Sequence, residues 1–308
     1  MNKSFAAGVI ALAAWCCSAA FGAEPHFLKL SDHCYYMAMK ESGENLAVVV
    51  TEEGILLMNP PQGADLPAAI EALRSVSPEP VRWVLYTEPG LIPKTGAGVF
   101  NGQNPLYLAG VHQKALRSKS PDKGEGPADS SLSSWLVFDK QMQLFPANVE
   151  IRIIALQNTA RSGGDMVVFV PAEKVLFVGA LYESARYPDI DTALEGSALG
   201  WLDGMKQAID AVPVLKSAIP QAKLDPKPEK DKRPEELITV LSSRGEPSNL
   251  MNMKDLLDAS HLLRNEIAKA IKRGRSCDTF LASSVADPFR SYWNLDSFAA
   301  QLFTEMKK

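Results

Sequence analysis

The side chains that most often carry enzyme chemistry are sparse and dispersed in this chain. Its four histidines, His26, His33, His112 and His261, fall in four separate regions. No H-E-x-x-H sets two histidines on one helical face for a zinc ion. No G-x-S-x-G marks a strained nucleophile elbow, and no glycine-rich loop offers its amides to a phosphate. The histidines read as structural or surface residues. Beyond Cys16 and Cys17 near the start, two cysteines remain, Cys34 and Cys277. They are either one disulfide in an oxidising compartment or two separate buried thiols.

The elements that would position any site must come from an ordinary core. The chain has 308 residues, enough for one large domain or two small ones, with 46% apolar and 22% charged residues. Lys and Arg number 32 against 36 Asp and Glu. This weak acidity argues against a nucleic-acid surface, which carries a basic excess. The N-terminus reads as a secretory leader over residues 1–22: Lys3 is the positive start, Phe5 to Trp15 is apolar, and Ala20-Phe21-Gly22 has small residues at the cleavage spacing. Its removal leaves 31 basic residues against 36 acidic. A retained membrane anchor is the competing reading, but the uncharged run from Phe5 to Ala23 is only just long enough to span and is weakly hydrophobic. Trp15 before Cys16 is a poor fit to a lipoprotein processing site. No later segment is long and apolar enough to cross a membrane, so the expected location is periplasmic or secreted.

Strand patterns open the mature chain. His33 to Met39 is rich in aromatics, and Leu46 to Val50 and Ile55 to Met58 flank the turn signal Glu52-Glu53-Gly54. Leu66, Ile70 and Leu73 recur at helical spacing before Pro78 and Pro80. Short strands are expected over Val81 to Tyr86 and Leu106 to Leu108, the second followed by a short helix from Val111. Residues 117–134 form a polar loop. Strands follow over Gln143 to Phe145, Val149 to Leu156, Met166 to Val170 and Val175 to Val178. A helix spans Leu199 to Ala211, a charged, proline-rich insertion 223–236, and a strand Leu237 to Leu241. Two or three helices close the chain, the first lined by Leu256, Leu263, Ile267 and Ile271. This order predicts a layered α/β architecture with mixed sheets.

Asn45 to Val50, Gly54 to Asn59 and Pro80 to Thr87, then Gly164 to Phe169 and Lys174 to Gly179, resemble in order and spacing the strands of the metallo-β-lactamase superfamily. Ala270 to Ser276 before a last helix is similar to its exported hydrolases. The resemblance covers roughly residues 26–306. It implies a four-layer αββα sandwich of two mixed sheets with a C-terminal helical segment. The domain would run over 23–250, with C-terminal helices over 251–308 packed on it. It also implies two zinc ions, held by H-x-H-x-D-H after a strand, a later His, a bridging Asp and a final His. Such metals lower the pKa of a bound water and polarise a substrate.

Here the implied ligand set fails. Thr87 keeps its place, but the loop's ligand positions become Glu88, Gly90, Ile92 and Pro93, with Lys94-Thr95-Gly96 running on to Phe100. The later His falls on Arg161, the bridging Asp on Ala180 and the final His on Arg244. Of these seven, only Glu88 is a metal donor; Gly, Ile, Pro and Ala offer none, and Arg never coordinates. The zinc cofactor is therefore expected to be lost, leaving a pseudoenzyme.

Glu88 and Arg161 would replace ligands of one metal and should face each other as an ion pair that plugs the space. A sharper alternative makes Arg161, Arg244 and Lys94 an anion pocket, Arg244 having no evident acidic partner. Ser162 and Ser243 lie near the same cleft without a histidine base, so Lys94 would have to activate either. The expectation is an exported, non-catalytic protein that binds a small anion or a protein partner. The alternatives are a hydrolase using an atypical metal site or none, and an assembly role for the 117–134 loop and the insertion.

Overall fold

A computed structural model describes residues 26–39, 43–61, 65–91, 105–113, 115, 134–157, 159–213 and 234–307. The leader, Lys94, the 117–133 part of the polar loop and the 223–233 part of the insertion lie outside the described residues.

Two mixed sheets carry the fold. The first runs in chain order through β1 (Leu28–Lys29), β2 (Cys34–Ala38), β3 (Asn45–Thr51), β4 (Gly54–Met58), β5 (Val81–Leu85), β6 (Leu106–Gly110) and β7 (Trp135–Phe138). It is antiparallel up to β4 and parallel beyond. The second contains β8 (Gln141–Leu144), β9 (Ile151–Ala155), β10 (Met166–Val170), β11 (Val175–Gly179), β12 (Thr239–Ser242) and β13 (Ser248–Asn249), in the order β13-β12-β11-β10-β9-β8. Helix α1 (Asp65–Val76) covers the first sheet. Helices α2 (Ala198–Asp210), α3 (Leu250–Lys272), α4 (Cys277–Leu281) and α5 (Leu295–Met306) form the layer over the second. This is the expected four-layer αββα sandwich.

The central strands are apolar at every position because both faces of each sheet are covered. In β10, Met166, Val168 and Val170 point between the sheets, against residues such as Val49, Leu56 and Leu85. Val167 and Phe169 point outward to Trp201 of α2 and Leu256 of α3. In β4, Leu56 and Met58 face inward while Ile55 and Leu57 meet Ala69 and Leu73 of α1. A one-residue slip would exchange these sets. Each such buried side chain contributes about 1.5–3 kcal/mol.

The C-terminal helices are tied in by a carboxylate as well as by packing. Glu305 of α5 accepts from the Ala198 and Leu199 amides at 2.8 and 3.0 Å and from the Ser197 hydroxyl at 2.8 Å. It sits where the first turn of α2 leaves amides unpaired and its dipole is positive.

Several expected boundaries shift. The strand expected over Gln143 to Phe145 is β8, ending at Leu144; Phe145 is exposed and leads into the 3-10 turn Pro146–Asn148. Strand β7 is absent from the sequence reading because its pairing with distant β6 lies across the polar loop. The strand expected over Leu237 to Leu241 starts at Thr239, after a 3-10 turn over Pro234–Leu237. Cys34 is buried between the sheets and Cys277 stands on α4 against the helical layer, so both are free thiols. No helix among the described residues is long and apolar enough to cross a membrane.

Candidate functional site

One knot of backbone and short polar side chains joins the sheets where β4, β5 and β11 end. Asn59, left-handed at φ 52°, ends β4 and accepts the Thr87 amide through Oδ1 at 2.8 Å. Its Nδ2 donates to Thr87 Oγ1 at 2.9 Å. The Thr87 carbonyl accepts from the Met166 amide at 2.8 Å, which ties β5 to the start of β10. Gly179 closes β11 at φ 57°, and a Cβ there would run into Thr87 Oγ1. Glycine answers both demands. Glu88 follows Thr87 directly and is thereby carried to the rim between the sheets.

The loop after β9 presents Arg161. Asp165, buried, accepts from the Ser162 amide at 2.8 Å and from the Ser162 hydroxyl, folding 161–165 into a tight turn. The Arg161 carbonyl accepts the Asp191 amide at 2.9 Å, and Gly196 lies against the same carbonyl where no Cβ fits. Arg244 stands on the turn after β12. Asn45 braces that turn, with Nδ2 donating to the Ser242 and Gly245 carbonyls at 3.0 and 2.8 Å and its amide donating to the Ser243 carbonyl at 2.6 Å.

These loops enclose a cavity of about 210 Å³ lined by Glu44, Glu88, Gly90, Arg161, Ala180, Glu183, Pro188, Asp189, Asp191, Ser243 and Arg244. Glu88, Gly90, Arg161, Ala180 and Arg244 therefore converge at one end of the sandwich, as their register with the flanking strands implied. Arg161 Nη1 donates to Glu88 Oε2 in a direct ion pair, with 22% and 11% of the two side chains exposed. Burial pushes Glu88 up to about 7. Arg161 opposes that rise, and the nearby carboxylates Asp165, Glu44 and Asp191 add to it. Asp165 is pushed to about 6 by burial against the pull of its hydrogen bonds from Ser162.

The expected solitude of Arg244 is corrected: its Nη2 donates to Glu44 Oε1 at 3.1 Å, and the two residues also form a β-bridge. Sequence reasoning missed Glu44 because Gly43-Glu44 reads only as a hairpin connection. It also missed the acidic wall from the 183–191 loop. There Arg186 bonds Asp189 at 2.8 Å and Glu183 at 3.4 Å, and Asn294 before α5 donates to Asp189 Oδ1 at 2.8 Å. Among the described residues, five carboxylates face the cavity beside Arg161 and Arg244.

The donor set does not fit a zinc ion. Gly90 and Ala180 have no donor atom, and two further positions are guanidinium cations. Among the described residues, no three His, Cys, Asp or Glu side chains converge closely enough to hold a metal. None of the four histidines lines the cavity; His33 bonds Glu173 and His112 bonds Glu195 elsewhere.

No family model matches the sequence, and no curated protein does. Solved structures do match. The stereoselective inverting sec-alkylsulfatase Pisa1 from Pseudomonas sp. is 11% identical, with a TM-score of 0.66 over 91% of this chain and 50% of that one. The metallo-β-lactamase from Pontibacter korlensis is 13% identical, with a TM-score of 0.57 over 77% and 99% of the two chains. The metallo-β-lactamase DIM-1 is 14% identical, with a TM-score of 0.56 over 78% and 98%. The chain thus spans about half the length of the alkylsulfatase. The likeness gives the fold: this is a metallo-β-lactamase-type sandwich.

Proposed function

We propose that this metallo-β-lactamase-fold chain is an exported, non-catalytic binding protein whose cavity at the strand ends receives a small ligand. The observation that carries the reading is the Glu88–Arg161 ion pair. It fills the two positions at which the family resemblance sets ligands of one metal, and a guanidinium there repels a dication. No step is routed through zinc on such a donor set. Nor is a nucleophile prepared: Ser162 is fully buried and committed to Asp165, and Ser243 has no base bonded to its hydroxyl. Export rests on the leader pattern before Ala23.

The test is metal analysis of the mature protein together with hydrolysis assays on β-lactams, thioesters and alkyl sulfates. The expected result is no stoichiometric zinc and no turnover. About one or more zinc per chain with chelator-sensitive hydrolysis would overturn the reading in favour of an atypical metallohydrolase.

A further inference from the structure

The cavity's polar groups can be matched one against another. Glu88 is paired with Arg161, Glu44 with Arg244, and Glu183 and Asp189 share Arg186. Asp191 accepts only the Leu194 amide through Oδ1, at 3.1 Å, and has no cationic partner among the described residues. Among the described residues, five carboxylates thus answer to three guanidiniums, two of which line the cavity. A second observation is independent of charge. Ser243 lines the cavity, is only 6% exposed, and its hydroxyl forms no hydrogen bond among the described residues. That hydroxyl opens into the cavity and is free to bond a ligand there. The space, about 210 Å³, suits a small molecule. The carboxylates are spread around the wall, which favours an organic cation with several N–H donors over a compact metal ion.

We infer that the cavity binds a small organic ammonium, its charge met by Asp191 and Glu183 and one N–H received by the Ser243 hydroxyl. This rests on the non-catalytic binding reading and gives it a ligand class opposite in charge to the one the arginines alone suggest. Ligand binding adds positive charge beside Glu88 and so favours its ionised form. Binding near pH 7 therefore releases protons.

The experiment is calorimetric titration of the metal-free mature protein with propylammonium and 1,4-diaminobutane. Tetramethylammonium, potassium and propionate serve as comparisons. The expected result is saturable binding of the amines, weaker binding of tetramethylammonium, which has no N–H, and none of propionate. Asp191→Asn should weaken amine binding at least tenfold and Ser243→Ala several-fold. Glu183→Gln serves as a second charge variant, because Asp191 also caps the 192–194 turn. Amine heats measured in two buffers of different ionisation enthalpy should reveal proton release. Binding of propionate in place of the amines, amine affinity unchanged in both Asp191→Asn and Glu183→Gln, or no binding of any probe would overturn the inference. Each of those results leaves the non-catalytic reading standing, which falls instead on zinc content with hydrolysis.

Discussion

The Glu88–Arg161 pair should show a coupling energy that grows with pH. The perturbation is a double-mutant cycle of Glu88→Gln, Arg161→Met and both together, followed by urea unfolding at pH 6, 7 and 8.5. The Glu88→Gln change imitates the protonated acid. With Arg161 present, Glu88 titrates at about 7 in the folded chain. Without Arg161, its buried carboxyl takes up a proton and stays neutral throughout the range. The coupling then equals the free energy of ionising Glu88 beside Arg161: about 0.1 kcal/mol at pH 6, about 0.4 at pH 7 and about 2 at pH 8.5. It stays below the roughly 3–5 kcal/mol expected for stranding a buried charge, because protonation offers an escape. The wider linkage has the opposite slope. The folded pKa lies above the ordinary 4.5, so the folded state holds a proton that the unfolded chain releases. Stability from this group is full below about 4.5 and declines by about 3 kcal/mol as pH rises to 7. Glu88→Gln should abolish that decline and leave only the one from Asp165 between about 4 and 6. Additive effects at pH 8.5, or a coupling equal at all three pH values, would refute the reasoning.

Glu305→Gln should cost about 1 kcal/mol at pH 7, a figure discounted for the open side of the group. Burial pushes Glu305 up, but the Leu199 and Ala198 amides, Gln301 and Ser197 outweigh it and hold it below the usual range. Its contribution is therefore present above the ordinary glutamate pKa and lost as pH falls through the folded value, so urea curves of variant and wild type should converge in acid. Gly179→Ala should cost about 2–4 kcal/mol by the same assay, because its Cβ adds a collision with Thr87 to the left-handed backbone penalty. Gly245→Ala, at φ 78° with nothing within 4 Å of the new Cβ, should lose only about 1 kcal/mol. Equal losses for the two glycines would remove the claim that the Thr87 knot is sterically closed.

What could be read in advance follows from the range of each interaction. The strands were legible because two-sided burial writes itself as unbroken apolar runs, such as Val167 to Val170 and Val175 to Val178. The Glu88–Arg161 contact was legible through the family resemblance, which sets both residues at ligand positions of one metal. Where the chain leaves the strands, legibility ends. Glu44 reaches Arg244 across 200 positions, and Asn294 reaches Asp189 across 105. Neither pairing has a local signature. The same holds for β7, whose partner β6 lies beyond a long polar loop.

The missed contacts change the electrostatics of the site more than the ones foreseen. Reading only the replaced ligand positions yields one carboxylate and two guanidiniums, a positive cavity. The 183–191 loop adds Glu183, Asp189 and Asp191, and Arg186, turned toward that loop, answers two of them. Glu44 then neutralises the most exposed arginine, whose side chain is 57% open to solvent. Glu88, placed deepest, registers the sum: even with Arg161 bonded to it, burial and three surrounding carboxylates keep it at about 7. An anion entering such a cavity would have to displace Glu88 or Glu44 from its arginine and meet the remaining acids. A cation needs neither, and the proposed binding of an organic ammonium rests on that asymmetry.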